Sequence, residues 1–248
     1  MKTLTSRGLP IACYTPQPQA RATLVCFPHA GGSALAFGRW APALAPDVEL
    51  WSVTLPGRAG RMHEPFARDW GALVEDLATA VTDDIEGPFA LFGHSLGATL
   101  AFEVARELSR RGASPAHLFV SARGAPDATS RFAVPADDRV LLREIDALYE
   151  GVPAALHESQ EVLDYFLPIL RADIELAADY RYEPGPALEV PITALAGVTD
   201  ATLSRVQVEG WQHHTSTSFQ YREFPGGHFY VEDQEPAVFK AIRAGLLG

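Results

Sequence analysis

The chain has 248 residues, 47% apolar and 21% charged, which suits one compact domain of the larger α/β kind and leaves no room for a second full domain. Its formal net charge of -11 argues against nucleic acid as a partner, because phosphate binding needs a basic face. The start, MKTLTSRGLPIACYTP, lacks an apolar core with a small-residue cleavage site, and no run of about eighteen apolar residues occurs, so a soluble, cytoplasmic protein with no membrane partner is expected.

The first β-rich run, 24–27, holds Cys26 and leads into the loop FPHAGGSALAF. With Cys13 as the only other cysteine, a reducing compartment without disulfides is expected. The second run, 48–55, precedes LPGRAGR and a helical pattern, DWGALVEDLATAVTDDI. The third, 89–92, passes through GHSLG into the amphipathic LGATLAFEVARELSRRG. After the fourth, 117–120, about seventy residues carry two helical patterns, DDRVLLREIDALY and SQEVLDYFLPILRADIELAADYRY, and no strand. Pro168 predicts a kink or break in the second pattern. The fifth run, 192–196, leads to Asp200, the sixth, 219–224, to PGGHFYVED, and EPAVFKAIRAGLL closes the chain. Continuous apolar strands alternating with helices imply an α/β fold with a mostly parallel sheet covered on both faces. The long insertion reads as a cap over a site, with an ordinary packed helical pair as the alternative.

Gly93, Ser95 and Gly97 form Gly-x-Ser-x-Gly where a buried strand meets a helix. A sharp turn there pushes a serine hydroxyl outward and needs tiny residues where strand and helix nearly touch, so Ser95 reads as a nucleophile rather than a simple N-cap. A serine needs a base and an acid to orient that base, following it in the order acid, then histidine. His228, in a glycine-bearing loop after the last strand, is the candidate base. His29, His63, His94, His117, His157, His213 and His214 are weaker candidates, and the last two lack metal-ligand spacing. Asp200 is the favoured acid, with Asp127 as its rival. The oxyanion requires two amide donors, for which Leu96, after the nucleophile, and Ala30, in the first glycine loop, are nominated.

The motifs FPHAGG, LPGR, GHSLGA, LRAD, Asp200 with the glycine ahead of it, and GGHFY occur in an order and spacing that resembles the stand-alone type II thioesterases of polyketide and nonribosomal-peptide assembly lines. The match runs from about Thr23 to the C-terminus. It implies the α/β-hydrolase fold over residues 1–248 with a helical lid at 125–185. It also implies a Ser95, Asp200, His228 triad and an oxyanion hole at Ala30 and Leu96. Family members often have methionine where Leu96 stands, which leaves the amide donor intact and bears on pocket shape. The implied activity is editing: hydrolysis of stalled acyl thioesters from the phosphopantetheine arm of acyl or peptidyl carrier proteins through an acyl-serine, by a monomer with no cofactor and no metal. Alternatives are a chain-releasing or medium-chain fatty acyl thioesterase, a small-molecule esterase, or a noncatalytic carrier-binding factor.

Carrier proteins are usually acidic, as this chain is, so a local basic patch would have to guide docking. Arg58, Arg61, Arg106, Arg110 and Arg111 are the candidates, with solvated surface arginine as the commoner meaning. Leu148, Tyr149, Phe166 and Leu170 either shape an acyl pocket or belong to the core.

Overall fold

A computed structural model describes residues 8–128, 133–149 and 159–248. His157 and parts of the insertion lie outside the described residues. The strands are β1 (Ile11–Ala12), β2 (Ala22–Phe27), β3 (Val48–Val53), β4 (Phe89–His94), β5 (His117–Ser121), β6 (Ile192–Gly197) and β7 (Phe219–Phe224). They form one seven-stranded sheet in the order β1-β3-β2-β4-β5-β6-β7, parallel except for the antiparallel pairing of β1 with β3. The six runs expected from the sequence are the six parallel strands; β1 was not foreseen.

Alternation along the buried strands divides the core into two layers. Val25, Phe27, Leu91, Leu118, Val120 and Ala194 face α2 (Trp70–Asp84) and α3 (Leu96–Arg110). Leu24, Cys26, Phe92, Phe119 and Leu195 face the other way, against α1 (Trp40–Leu44) and the helix that ends the chain. Side chains of period two, apolar on both faces, therefore produce the sheet and its covering helices together. The insertion contributes α4 (Asp138–Tyr149) and α5 (Gln160–Asp179), packed through Leu141, Ile145, Leu170 and Ile174. Helix α5 runs unbroken through Pro168, which is exposed, as is Asp164, whose carbonyl loses its partner N–H and remains open to water. Three short helical pieces follow in the last third, among them α6 (Arg205–Glu209) and α7 (Tyr230–Asp233), before α8 (Glu235–Leu247). Among the described residues no helix is long and apolar enough to cross a membrane.

Pairing registers align the strand ends: Phe27 lies opposite Gly93, His94 opposite Ser121, and Gly197 opposite Phe224. The loops after β2, β4, β5, β6 and β7 consequently open on one edge of the sheet. The chain leaves β2 for β3 on one side and crosses to β4 on the other, so the loop after β4 stands at the switch point where open α/β sheets bind ligands.

His117, buried at the start of β5 with Nε2 against Thr193 Oγ1 at 2.8 Å, has its pKa lowered to about 4 by burial. The unfolded chain takes up this proton near the ordinary imidazole pKa of about 6.5, whereas the folded chain resists until about 4, so stability falls as pH drops through that window. Urea unfolding of His117→Gln is expected to show a shallower loss of stability between these two pH values than the parent chain, by up to one proton's worth of slope.

Candidate active site

Ser95 sits at φ 56° and ψ -118°, left-handed backbone that a serine rarely adopts, between the end of β4 and the first residue of α3. Its N–H donates to Ser121 O at 2.8 Å, fixing the turn against the neighbouring strand. A Cβ on Gly93 would lie 2.1 Å from Gly97 O, and one on Gly97 would lie 2.1 Å from Phe27 O. Both glycines are therefore required by backbone approaching backbone.

Asp200 and His228 come from the loops after β6 and β7. Asp200 Oδ2 is 2.8 Å from His228 Nδ1, and Oδ1 accepts from Thr202 N at 2.9 Å and from Thr202 Oγ1 at 2.6 Å. Burial pushes the Asp200 carboxyl upward, but the hydrogen bonds from His228 and Thr202 outweigh it and hold the pKa below the usual value. A carboxylate on Nδ1 fixes the tautomer with Nε2 free to accept a proton. The rival Asp127 is elsewhere: it is half exposed, with Oδ1 3.1 Å from His214 Nε2.

Two cavities, of about 420 and 350 Å³, meet at Ser95 and His228. Ala30 and Leu96 line the larger, together with Ile145, Phe166, Leu170 and Ile174 from α4 and α5. Tyr149 lines both cavities and Leu148 the smaller, while Leu170 also belongs to the core between α4 and α5, so the pocket and core readings of these residues meet in one layer. In the first glycine loop, Gly32 N donates to His29 O at 2.9 Å. In a trans peptide the N–H points opposite the C=O, so the Ala30 amide is directed away from that turn. His29 Nδ1 donates to Ala30 O at 2.9 Å.

Other features were invisible in the sequence. Arg123, in the loop after β5, lines both cavities and has no side-chain partner among the described residues; its Nε is buried and unbonded. Burial lowers its pKa, so a cationic group facing the chamber is held with little solvent. His94, next to Ser95 in sequence, is buried with Nδ1 2.8 Å from Ser121 Oγ, which is in turn 2.7 Å from Tyr230 Oη. Burial, with His228 and His29 nearby, holds the His94 ring well below the ordinary imidazole pKa, hence neutral. No group of three or more His, Cys, Asp or Glu among the described residues is placed to hold a metal ion.

Two of the basic docking candidates, Arg58 and Arg61, need correction. Arg58 and Arg61 are only 3% and 6% exposed, bonded to Asp173 and to Glu64 with Asp76 respectively. Arg106, Arg110 and Arg111 pair with Glu103 or Glu107 on their own helix, because each acidic partner lies one turn away.

The doubly covered parallel sheet, with the serine on a strained strand-to-helix turn and an acid and a histidine after later strands, defines an α/β-hydrolase. Residues 22–246 match the model of the thioesterase domain, and the chain belongs to that family. It is 43% identical over 243 residues to thioesterase PikA5 of Streptomyces venezuelae, covering 97% of this chain and 86% of that one. It is similar to the type II thioesterase BorB of the borrelidin biosynthetic cluster, at 38% identity and TM-score 0.88, covering 98% of this chain and 100% of the other. A further match is YbtT, a type II thioesterase of the yersiniabactin NRPS/PKS pathway, at 33% identity and TM-score 0.86, covering 96% and 98%. The protein is a hydrolase acting on thioesters.

The contact at Gly97 yields a prediction: Gly97→Ala forces Phe27 or α3 to shift and is expected to destabilise the fold by about 1–3 kcal/mol, as overpacking does. Urea denaturation measures it.

Proposed function

We propose that the protein hydrolyses acyl groups stalled as thioesters on the phosphopantetheine arm of acyl or peptidyl carrier proteins, an editing activity. The observation that carries this reading is the 2.8 Å Asp200–His228 contact at the junction of two chambers that Ser95 also lines. Ser95 Oγ attacks the thioester carbonyl carbon while His228 Nε2 takes its proton. The Leu96 and Ala30 amides hold the oxyanion, and the start of α3 adds its dipole. Collapse breaks the C–S bond, and His228 gives its proton to the departing thiolate. Water then attacks the acyl-serine, His228 again taking a proton and returning it to Ser95 Oγ as the carboxylic acid leaves. Asp200 stays ionised throughout and steadies the imidazolium. The chemistry calls for no metal and no cofactor.

Helices α4 and α5 serve as the lid in this reading. Support comes from the relatives in polyketide and nonribosomal-peptide clusters and from two chambers that both touch Ser95, room for an acyl chain and for a thiol-bearing arm.

Rates on a short acyl group attached to a carrier protein, compared with the same acyl on free pantetheine, test the proposal. A strong carrier preference, lost in Ser95→Ala by on the order of 10⁶-fold, is expected. Equal rates on both substrates point to a general small-thioester hydrolase instead, and a retained Ser95→Ala rate removes the mechanism. Asp200→Asn is expected to lower kcat on the order of 10⁴-fold, by analogy with a serine protease, because the amide favours the wrong imidazole tautomer. Asp127→Asn is expected to leave kcat within about threefold.

A further inference from the structure

The arginine of LPGR, the aspartate of LRAD and the glycine pair after Ala30 have no place in the proton transfers above, yet they meet in one buried cluster. Asp173 lies in the middle of α5 and Arg58 in the loop after β3, 115 positions apart in sequence. Arg58 Nη1 donates to Asp173 Oδ2 at 2.6 Å and Nη2 to Oδ1 at 2.5 Å, a two-pronged pair with both side chains less than 5% exposed. The same guanidinium donates from Nη1 to Gly32 O at 3.0 Å. Asp173 Oδ2 also accepts from Gly31 N at 2.7 Å.

The backbone on both sides is shaped for this meeting. Gly57 (φ +82°) and Ala59 (φ 46°) flank Arg58 in left-handed conformations, and a Cβ on Gly57 would strike Phe66 at 2.2 Å. Gly31 (φ +77°) lies so close to α5 that a Cβ there would be 2.7 Å from Phe166 and 3.3 Å from Leu170. The Ala30–Gly31 peptide is thus held at both ends, its C=O by His29 Nδ1 and its N–H by Asp173. The preceding peptide, which carries the Ala30 N–H, has its C=O fixed by Gly32 N, and Gly32 is in turn held by Arg58.

We propose that Arg58 and Asp173 are positioning residues that set the Ala30 amide at the oxyanion site, so that this donor is in place only while α5 is seated on the loop. The inference rests on the roles proposed for Ser95 and Ala30. A fixed carboxylate on the insertion, rather than any group of the sheet, then decides whether the second oxyanion donor points at the reacting carbonyl. Neither residue touches substrate. Their contribution is geometric, and displacement of a catalytic group by about 1 Å can cost on the order of 10²-fold in rate.

Removing one partner would strand a buried charge, so the informative variant removes both: Arg58→Met with Asp173→Leu replaces the pair by apolar groups of similar bulk, a change that folded proteins commonly tolerate. Arg58→Lys, which keeps the buried charge beside Asp173 but gives up the two-pronged hold and the bond to Gly32 O, is the companion should the double variant fail to fold. Each is measured with a short acyl-pantetheine thioester and with a trifluoromethyl ketone that forms a tetrahedral oxyanion adduct on a nucleophilic serine. The expected result is a kcat lower by about 10²-fold in the double variant and at least tenfold in Arg58→Lys. KM should stay within about threefold, and the inhibition constant of the ketone should rise in step with the loss in kcat/KM. A folded variant of either kind with parental kcat and ketone affinity overturns the proposal, as does a loss confined to KM. Ser95→Ala in the same assay separates the two levels: retained activity there refutes the site itself, whereas an inactive Ser95→Ala beside a fully active pair variant refutes only the positioning role.

Discussion

The site depends on how closely the backbone of β4 and α3 approaches itself and its neighbour. At Gly93 and Gly97 there is no space for a methyl group, and the serine between them is forced into a conformation that costs on the order of 1–3 kcal/mol. The surrounding sheet supplies the restraint: β4 lies between β2 and β5, and the Ser95 amide is tied to Ser121. Packed neighbours on both sides thus hold the strained turn in place.

Around that turn the charged groups are arranged in two separate, buried systems. One joins Thr202, Asp200 and His228; the other joins Gly31, Gly32, Arg58 and Asp173. Between them lie the rings of His29 and His94, both with pKa lowered chiefly by burial, which keeps them neutral near the site. Neutral rings at these positions matter because a second imidazolium next to His228 would oppose the one that forms in the proposed proton transfer. Arg123 is the exception, a cation held at the wall shared by both chambers.

Much of this was legible in the sequence where the signal was local. Buried parallel strands announce themselves as continuous apolar runs, and all six were visible; the edge strand β1 was not, because two residues paired on one side carry no period. Gly-x-Ser-x-Gly and the glycines before His228 mark tight turns whatever the fold, whereas the choice between Asp200 and Asp127 needed the packed structure, which puts the first on His228 and the second on His214. What stayed hidden depended on partners far along the chain. Arg58 and Arg61 look like surface charge because nothing near them in sequence reveals the burial that Asp173 and Asp76 make possible. Pro168 looked like a helix breaker because the side of the helix facing water cannot be known before the helix is packed.

Helix α5 is the wall of the larger chamber through Phe166, Leu170 and Ile174, and it is also the anchor of the glycine loop through Asp173. Two tasks on one helix limit how the chamber can change over evolutionary time. A bulkier or smaller residue on α5 shifts the helix and with it the loop, so under the proposed roles altering chain-length preference from that side carries a penalty in turnover. Helix α4 reaches the chamber with Ile145 and Tyr149 and is not hydrogen-bonded to the loop among the described residues. Variation in acyl preference among descendants of this protein should therefore accumulate on α4 while α5 stays nearly fixed.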